Sequence, residues 1–208
     1  MPHLGVTEQT TFVRRNVEEI ARAMLEEDTS PAPSGCRVLV VLIGLPGSGK
    51  SHLARLLAQR LGAVVVATDQ LRRRLFIAPS YVRLETRTVF ALAHVLARRL
   101  LAERHTVIFD ATNLRESDRR PLYALARGTE AGLVLVRAVA AEPTIRERLA
   151  GRQSRVSAAD ASDADVRVYE MMRERFEEPS RPVLVVETGG DLEREIARVS
   201  EVVRSACA

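Results

Sequence analysis

Residues 44–51 read GLPGSGKS, and Lys50 within them is the only lysine among 31 lysine and arginine residues. The stretch fits the pattern G-x-x-x-x-G-K-[ST] at every fixed position. Gly44, Gly47 and Gly49 let the main chain turn and approach a ligand closely, so that its N–H groups point at phosphate oxygens. A helix opening at Lys50 adds the positive end of its dipole. Position 50 then needs a compact charge on a flexible stem that reaches the β and γ phosphates, and a planar guanidinium fork has the wrong shape for that contact. This accounts for a lysine in a chain that uses arginine everywhere else. Ser51 can offer its hydroxyl to Mg2+. The expected nucleotide contacts are therefore Gly44, Gly47, Ser48, Gly49, Lys50, Ser51 and His52, with a nucleoside triphosphate, ATP, and Mg2+ as the ligands. A guanine-reading N-K-x-D motif needs a second lysine and is excluded, and there is no LSGGQ signature.

Two aspartates stand at the ends of apolar runs. VVVATDQLRRRLF places Asp69 just after one run, and TVIFDATN ends another at Asp110, followed by Thr112 and Asn113. In an open parallel sheet the carboxyl ends of the strands face the ligand crevice, which puts both carboxylates on the phosphate side with Lys50 and Ser51. Asp110 suits holding Mg2+ through water, as a Walker B aspartate does. Asp69 suits accepting the proton of an acceptor hydroxyl. Capping the next helix is the other use of an aspartate at such a place. Arg72, one helical turn past Asp69, is expected to face the acceptor and hold an anionic group there. Thr112 and Asn113 are expected beside the same substrate.

Arg148 and Arg152 share a helix face, and Arg155 follows them. With the small polar stretch VSAADASDAD they read as a lid over about 148–163 that brings guanidinium groups onto the phosphates, Arg152 acting on the charge that develops in transfer. Any one of these arginines is also explained as a solvated surface charge. His52, His94 and His105 form no metal-ligand spacing. Phe76 and Tyr81 follow the Asp69 helix, where stacking on a base and filling the core are equally good uses.

These groups need a scaffold, and the apolar runs supply one. Strands are expected at 37–43, 63–67, 106–110, 132–139 and 182–187, with helices near 50–61, 70–76, 83–103, 115–127, 143–152, 163–177 and 191–205. Such alternation predicts an α/β protein with a parallel sheet covered on both faces. Ahead of it, residues 7–27 carry apolar side chains at helical spacing, and DTSPAPSG at 28–35 reads as a linker. The chain thus divides into an N-terminal helix and linker, 1–35, and a main domain, 36–208. The helix is expected to pack on that domain, with dimer formation as the other use of its stripe.

Hydrophobic residues make up 46% of the chain and charged ones 28%, the balance of an ordinary globular domain. Aromatics are only 4% and tryptophan is absent, so Leu, Val, Ile and Ala must build the core. The net charge of +4 suits phosphorylated or polyanionic partners. Cys36 and Cys207 lie in no metal or redox spacing, which fits a reducing compartment. The first residues lack the pattern of a signal peptide, and the longest apolar run, 38–43, is too short to cross a membrane. A cytoplasmic protein without a membrane partner is the expectation.

Taken together, GLPGSGKS, TDQLRRRLF, FDATNLRESDRR and SDADVRVYEMMRERFEEP resemble the P-loop kinases related to polynucleotide 5′-hydroxyl kinases and zeta toxins, over residues 37 to about 190. The resemblance implies the three-layer αβα P-loop nucleoside-triphosphate hydrolase fold, with five parallel strands in the order 2-3-1-4-5. It implies that Asp69 is the general base, that Arg72 contacts the acceptor's phosphate, and that Arg148 and Arg152 contact ATP. The implied acceptor, ranked first, is the 5′-hydroxyl of a nucleic acid. A nucleotide sugar, an antibiotic or another small metabolite is the alternative, and an ATP-driven switch without acceptor is the second.

Overall fold

Val38–Ile43 (β1) is six apolar residues without polar alternation, and all six are fully buried. Such a strand needs neighbours on both edges and cover on both faces. β1 pairs in parallel with β3 (Thr106–Asp110) on one side and β4 (Gly132–Val139) on the other. β2 (Val64–Ala67) adds to β3 and β5 (Val183–Glu187) to β4, which gives the order β2-β3-β1-β4-β5. This is the α/β P-loop fold and strand order that the sequence implied. The structure, a computed structural model, describes residues 17–25, 33, 35–77, 79, 82–155 and 166–207, with the side chains of 152–155, 166 and 167 left out of the account.

The helices fill two layers. They are α1 (17–25), α2 (Lys50–Leu61), α3 (Thr68–Leu75), α4 (Arg83–Ala102), α5 (Glu116–Gly128), α6 (Glu142–Arg155), α7 (Val166–Glu174) and α8 (Leu192–Ser205). Leu39, Val41 and Ile43 point into one core, shared with Val89, Leu92 and Ala93 of α4 and Leu122 of α5. Val38, Val40 and Leu42 point into the other, against Leu53 and Leu57 of α2 and Ile196, Val199 and Val203 of α8. The period of two along β1 thus feeds both cores at once.

The N-terminal stripe packs on the parent domain. Val17 and Ala21 of α1 are buried in the first core, and Glu18 pairs with Arg99 of α4 at 2.6 Å. The earlier part of the expected 7–27 helix lies outside the described residues. So does most of the linker.

The cysteine reading needs correction. Cys36, just ahead of β1, and Cys207, just past α8, form a disulfide with Cα atoms 5.3 Å apart, although 171 residues separate them in sequence. Sequence spacing cannot reveal that the two ends of the domain meet where the central strands β1 and β4 begin. Among the described residues no helix is long and apolar enough to cross a membrane.

His94 of α4 sits in the first core, its ring 5.4 Å from that of Phe109 and its Nδ1 donating to the Phe90 carbonyl at 2.7 Å. Burial holds its pKa below the ordinary 6.5; the Phe90 carbonyl opposes this and the charge of Arg98 adds to it. The unfolded chain therefore takes up the proton first as pH falls. The neutral ring's contribution to stability is present above 6.5 and is lost as pH falls through the depressed folded value. Denaturant midpoints at about pH 7.5 and about pH 5.5 are expected to differ more for the parent than for His94→Gln.

Candidate functional site

The loop after β1 is shaped by its glycines and clasped from several sides. Gly49 caps α2 with φ +86°, and a Cβ there would lie 2.8 Å from Thr188 Oγ1 and 3.1 Å from Arg148 Nη1. No larger residue fits this conformation and this space together. Gly44 N donates to Thr112 O at 3.1 Å, which ties the loop's start to the loop after β3. Lys50, buried at 9% exposure, turns its Nζ back across the loop to the Leu45 carbonyl at 2.9 Å. Ser51, Lys50 and Asp110 come together as expected: the Ser51 hydroxyl bonds the Asp110 carboxylate, and the Lys50 charge acts on it.

Asp110 is 6% exposed. Burial pushes its carboxyl above the usual carboxylate range; the Ser51 hydroxyl and Lys50 pull it down, and the negative charge of Asp69 pushes it further up. A hydroxyl and a carboxylate, both hard oxygen donors beside a phosphate loop, fit Mg2+, which keeps most of its waters and needs no all-protein cage. No cluster of three or more His, Cys, Asp or Glu suited to a metal occurs among the described residues.

Asp69 stands close by for a reason that register makes plain. Ala67, the last residue of β2, pairs with Asp110 in the sheet, and α3 starts at once at Thr68. Thr68 Oγ1 donates to the Asp110 carbonyl at 3.3 Å and fixes the junction. Asp69 in the first turn of α3 is exposed.

Other expected residues are placed differently. Arg72 does not project toward an acceptor. It is 5% exposed between α3 and α4, where its guanidinium pairs with the buried Glu85 at 3.7 Å and donates to Thr86 Oγ1 at 3.4 Å. At i+3 it lies about 60° round the helix axis from Asp69, enough for its long side chain to turn inward to Glu85 while Asp69 stays exposed. Asn113 is 1% exposed, with φ +46°, and its Nδ2 donates to the Leu42 carbonyl at 2.7 Å, so its side chain braces the end of β1. Thr112 is half-buried and meets the phosphate loop through its carbonyl. His52 faces solvent, its Nδ1 2.7 Å from Arg55. Phe76 packs against the first core; Tyr81 lies outside the described residues.

Arg148 reaches the phosphate loop. It donates to the Gly47 carbonyl at 3.3 Å, to Thr188 Oγ1 at 2.9 Å and to the Thr188 carbonyl at 2.9 Å. The backbone of α6 continues through Arg152 and Arg155, whose side chains, with the rest of the expected lid, lie outside the described residues.

Two positioning residues carry no sequence signal of their own. Thr188, just after β5, donates from Oγ1 to the Ser48 carbonyl at 2.8 Å, so β5 braces the phosphate loop. Arg119 of α5 is fully buried. It donates to the carbonyls of Asn113, Leu114, Glu177 and Glu178 at 2.8 to 3.2 Å and to Glu116 Oε2 at 3.0 Å. It thereby joins the loop after β3 to the chain leaving α7. Two of its carbonyl partners lie 58 and 59 residues away, beyond what spacing along the chain can show. Arg119→Met removes the Arg119 donors from the carbonyls of Asn113, Glu177 and Glu178, while Leu114 keeps the Glu177 N–H, and is expected to cost about 3–5 kcal/mol of stability, read by chemical denaturation.

A glycine-rich loop between a central buried strand and a helix, in a sheet of this order, defines a P-loop nucleoside-triphosphate-binding fold. Residues 39–179 match the AAA domain family, and the chain belongs to it. An uncharacterized protein of Mycobacterium tuberculosis is 30% identical over 187 residues, covering 81% of this chain but 35% of that protein, so the chain spans about a third of the length of the curated relatives it matches. Kti12 of Chaetomium thermophilum, in complex with ADP-AlF3, has a similar fold: TM-score 0.63 at 20% identity, covering 82% of this chain and 99% of that one. The APS kinase CysC of Mycobacterium tuberculosis, in complex with AMPPNP and APS, gives TM-score 0.61 at 19% identity, over 81% of this chain and 98% of that one. At these identities the likeness is one of fold.

Proposed function

We propose that the chain is an ATP- and Mg2+-dependent phosphotransferase that acts on a hydroxyl of a small molecule. The observation that carries this reading is the uncommitted carboxylate of Asp69, set by sheet register beside Asp110, Ser51 and Lys50. A nucleotide switch has no use for a base at that place. In the proposed reaction Asp69 takes the proton of the acceptor hydroxyl as its oxygen bonds to the terminal phosphorus. The bond from that phosphorus to the bridging oxygen breaks, and the electron pair leaves with ADP. Lys50 and the loop amides hold the phosphates. Ser51 and Asp110 would hold Mg2+, which supplies charge neutralisation on the phosphate oxygens. Arg148 approaches the same loop, and Arg152 and Arg155 extend its helix as candidates for the developing charge.

The small-molecule acceptor is preferred over the nucleic-acid end ranked first from the sequence. Arg72, which was to grip an acceptor phosphate, is buried against Glu85. Arg83 and Arg87 are exposed on α4, while Arg72 is not. The similar fold that binds AMPPNP also binds APS, a small acceptor.

The test is transfer of labelled γ-phosphate to a panel of sugars, hydroxy acids, nucleotides and 5′-hydroxyl oligonucleotides. Label on a small acceptor is expected. Label on an oligonucleotide end would restore the polynucleotide reading. Hydrolysis without any labelled acceptor, equal in Asp69→Ala, would point to the switch. In the same assay Asp110→Asn is expected to lose about 100-fold in Mg2+-dependent turnover. Its thermal midpoint without ligand should rise, because a neutral amide escapes the desolvation that burdens the carboxylate.

A further inference from the structure

A cavity of about 250 Å³ opens beside the phosphate loop between the end of β4, α6 and α7. Its walls combine three kinds of group. Leu45, Tyr169 and Phe176 give it apolar and aromatic sides. Among the described residues, Arg137 and Arg173 are its charged lining residues, and no described carboxylate lines it. Ser48, at the loop's edge of the same cavity, is 1% exposed, and its hydroxyl has no hydrogen-bond partner. A buried hydroxyl without a partner costs stability that a ligand atom would recover.

The two arginines are held, yet not used up. The guanidinium of Arg137 lies over the Phe176 ring at 4.2 Å, which fixes its plane, and it pairs with Glu178 at 2.9 Å. Arg173 pairs with Glu142 at 3.0 Å. Both acidic partners are largely exposed, with side chains at 72% and 44%. Exposed pairs of this kind contribute little, so an anion seated in the cavity can compete for both guanidinium groups.

We infer that this cavity holds the anionic end, a carboxylate or a phosphate, of the small acceptor. The inference rests on the phosphotransferase reading of the adjoining site. Arg137 pairs with Ile43 in the register of β4 on β1, whereas Asp69 follows β2, which lies beyond β3 on the other side of β1. The two main-chain positions are thus about 14 Å apart across the sheet, three strand spacings. The Arg137 and Asp69 side chains cover part of that distance, and an acceptor of a few carbons spans the rest, with its charged end on Arg137 and Arg173, a polar atom on Ser48 Oγ, and its hydroxyl presented near Asp69. The preferred substrates are hydroxy acids or sugar phosphates rather than neutral polyols.

The test compares matched pairs as acceptors: glycerate with glycerol, gluconate with sorbitol, ribose 5-phosphate with ribose. The full chain is used with labelled ATP, beside Arg137→Gln, Arg137→Lys and Arg173→Gln. Transfer is expected to an anionic member and not to its neutral mate. Arg137→Gln should raise KM about 10- to 100-fold with kcat little changed, and Arg137→Lys should recover part of it. Arg173→Gln, at an exposed site, covers the case in which the packed Arg137 variants fail to fold. Equal transfer to neutral and anionic members, or KM indifferent to all three substitutions, overturns the inference. If no member is phosphorylated, calorimetric binding of the anionic members to the AMPPNP-loaded chain separates the two failures. Binding that weakens in Arg137→Gln would keep the anion pocket while the phosphotransferase reading falls, and with it the acceptor role. Absence of binding, or binding unchanged in every variant, overturns the pocket itself.

Discussion

Lys50→Arg is expected to give a folded protein whose phosphoryl transfer is about 100- to 1,000-fold below the parent's. Nothing about charge changes in this substitution; only shape and reach do. Lys50 threads a narrow path, since a Cβ on Gly44 would lie 3.4 Å from its Cδ, and its Nζ already spans the loop to the Leu45 carbonyl. A guanidinium is wider, and its planar fork cannot sit as a point charge between two phosphates held by the same loop. The effect should fall on turnover, read as single-turnover transfer from labelled ATP, while the melting midpoint without ligand stays near the parent's. The chain tolerates arginine at every other basic position, which makes this swap an informative one. A variant that turns over like the parent would remove the electrostatic role assigned to Lys50.

Asp69→Ala is expected to lower transfer by about 100- to 10,000-fold, the range for loss of a positioned general base. Affinity for a triphosphate analogue should be unchanged, because Asp69 follows β2 while the phosphate loop follows β1, with β3 between them. Stability should hold or rise. The Asp69 charge pushes the carboxyl of the buried Asp110 upward, so its removal relieves a repulsion, which offsets the lost contact of a negative charge with the first turn of α3. The paired measurements are transfer to the accepted small molecule and calorimetric binding of AMPPNP. Loss of both together would make Asp69 part of nucleotide binding, and retained transfer would leave the reaction without its base. Arg72→Ala is a poor probe beside it, since it breaks a buried pair with Glu85 and unsettles the α3–α4 contact.

Much of the scaffold could be read from local pattern. Five continuous apolar runs became five parallel strands with boundaries shifted by a residue or so, because a strand covered on both faces tolerates no polar alternation. The helix α2 kept its predicted limits, because Gly49 and Gly62 in left-handed conformations end the loop and the helix around it, whereas α6 and α7 differ from the predicted ranges by up to three residues at their ends. The phosphate loop was legible because its chemistry needs fixed residue types at fixed spacing in one short segment. Lys50, Ser51 and the end-of-strand position of Asp69 and Asp110 all belong to that class.

The sequence by itself therefore determined the parallel sheet, the phosphate loop and the strand-end carboxylates, because each depends on contacts or geometry within a few residues of the chain. Tertiary structure alone decided which face each neighbouring side chain took. Arg72 and Asn113 turned inward, toward Glu85 and the Leu42 carbonyl, although both sit in the motifs expected to meet substrate. Arg119 and Thr188 became braces of the site through partners 58 and 140 residues away. Cys36 met Cys207 across 171 residues. The physical reason is common to all of them. A buried polar group is placed by whichever partner the packed fold brings to it, and that partner is set by sheet order and helix packing rather than by spacing along the chain.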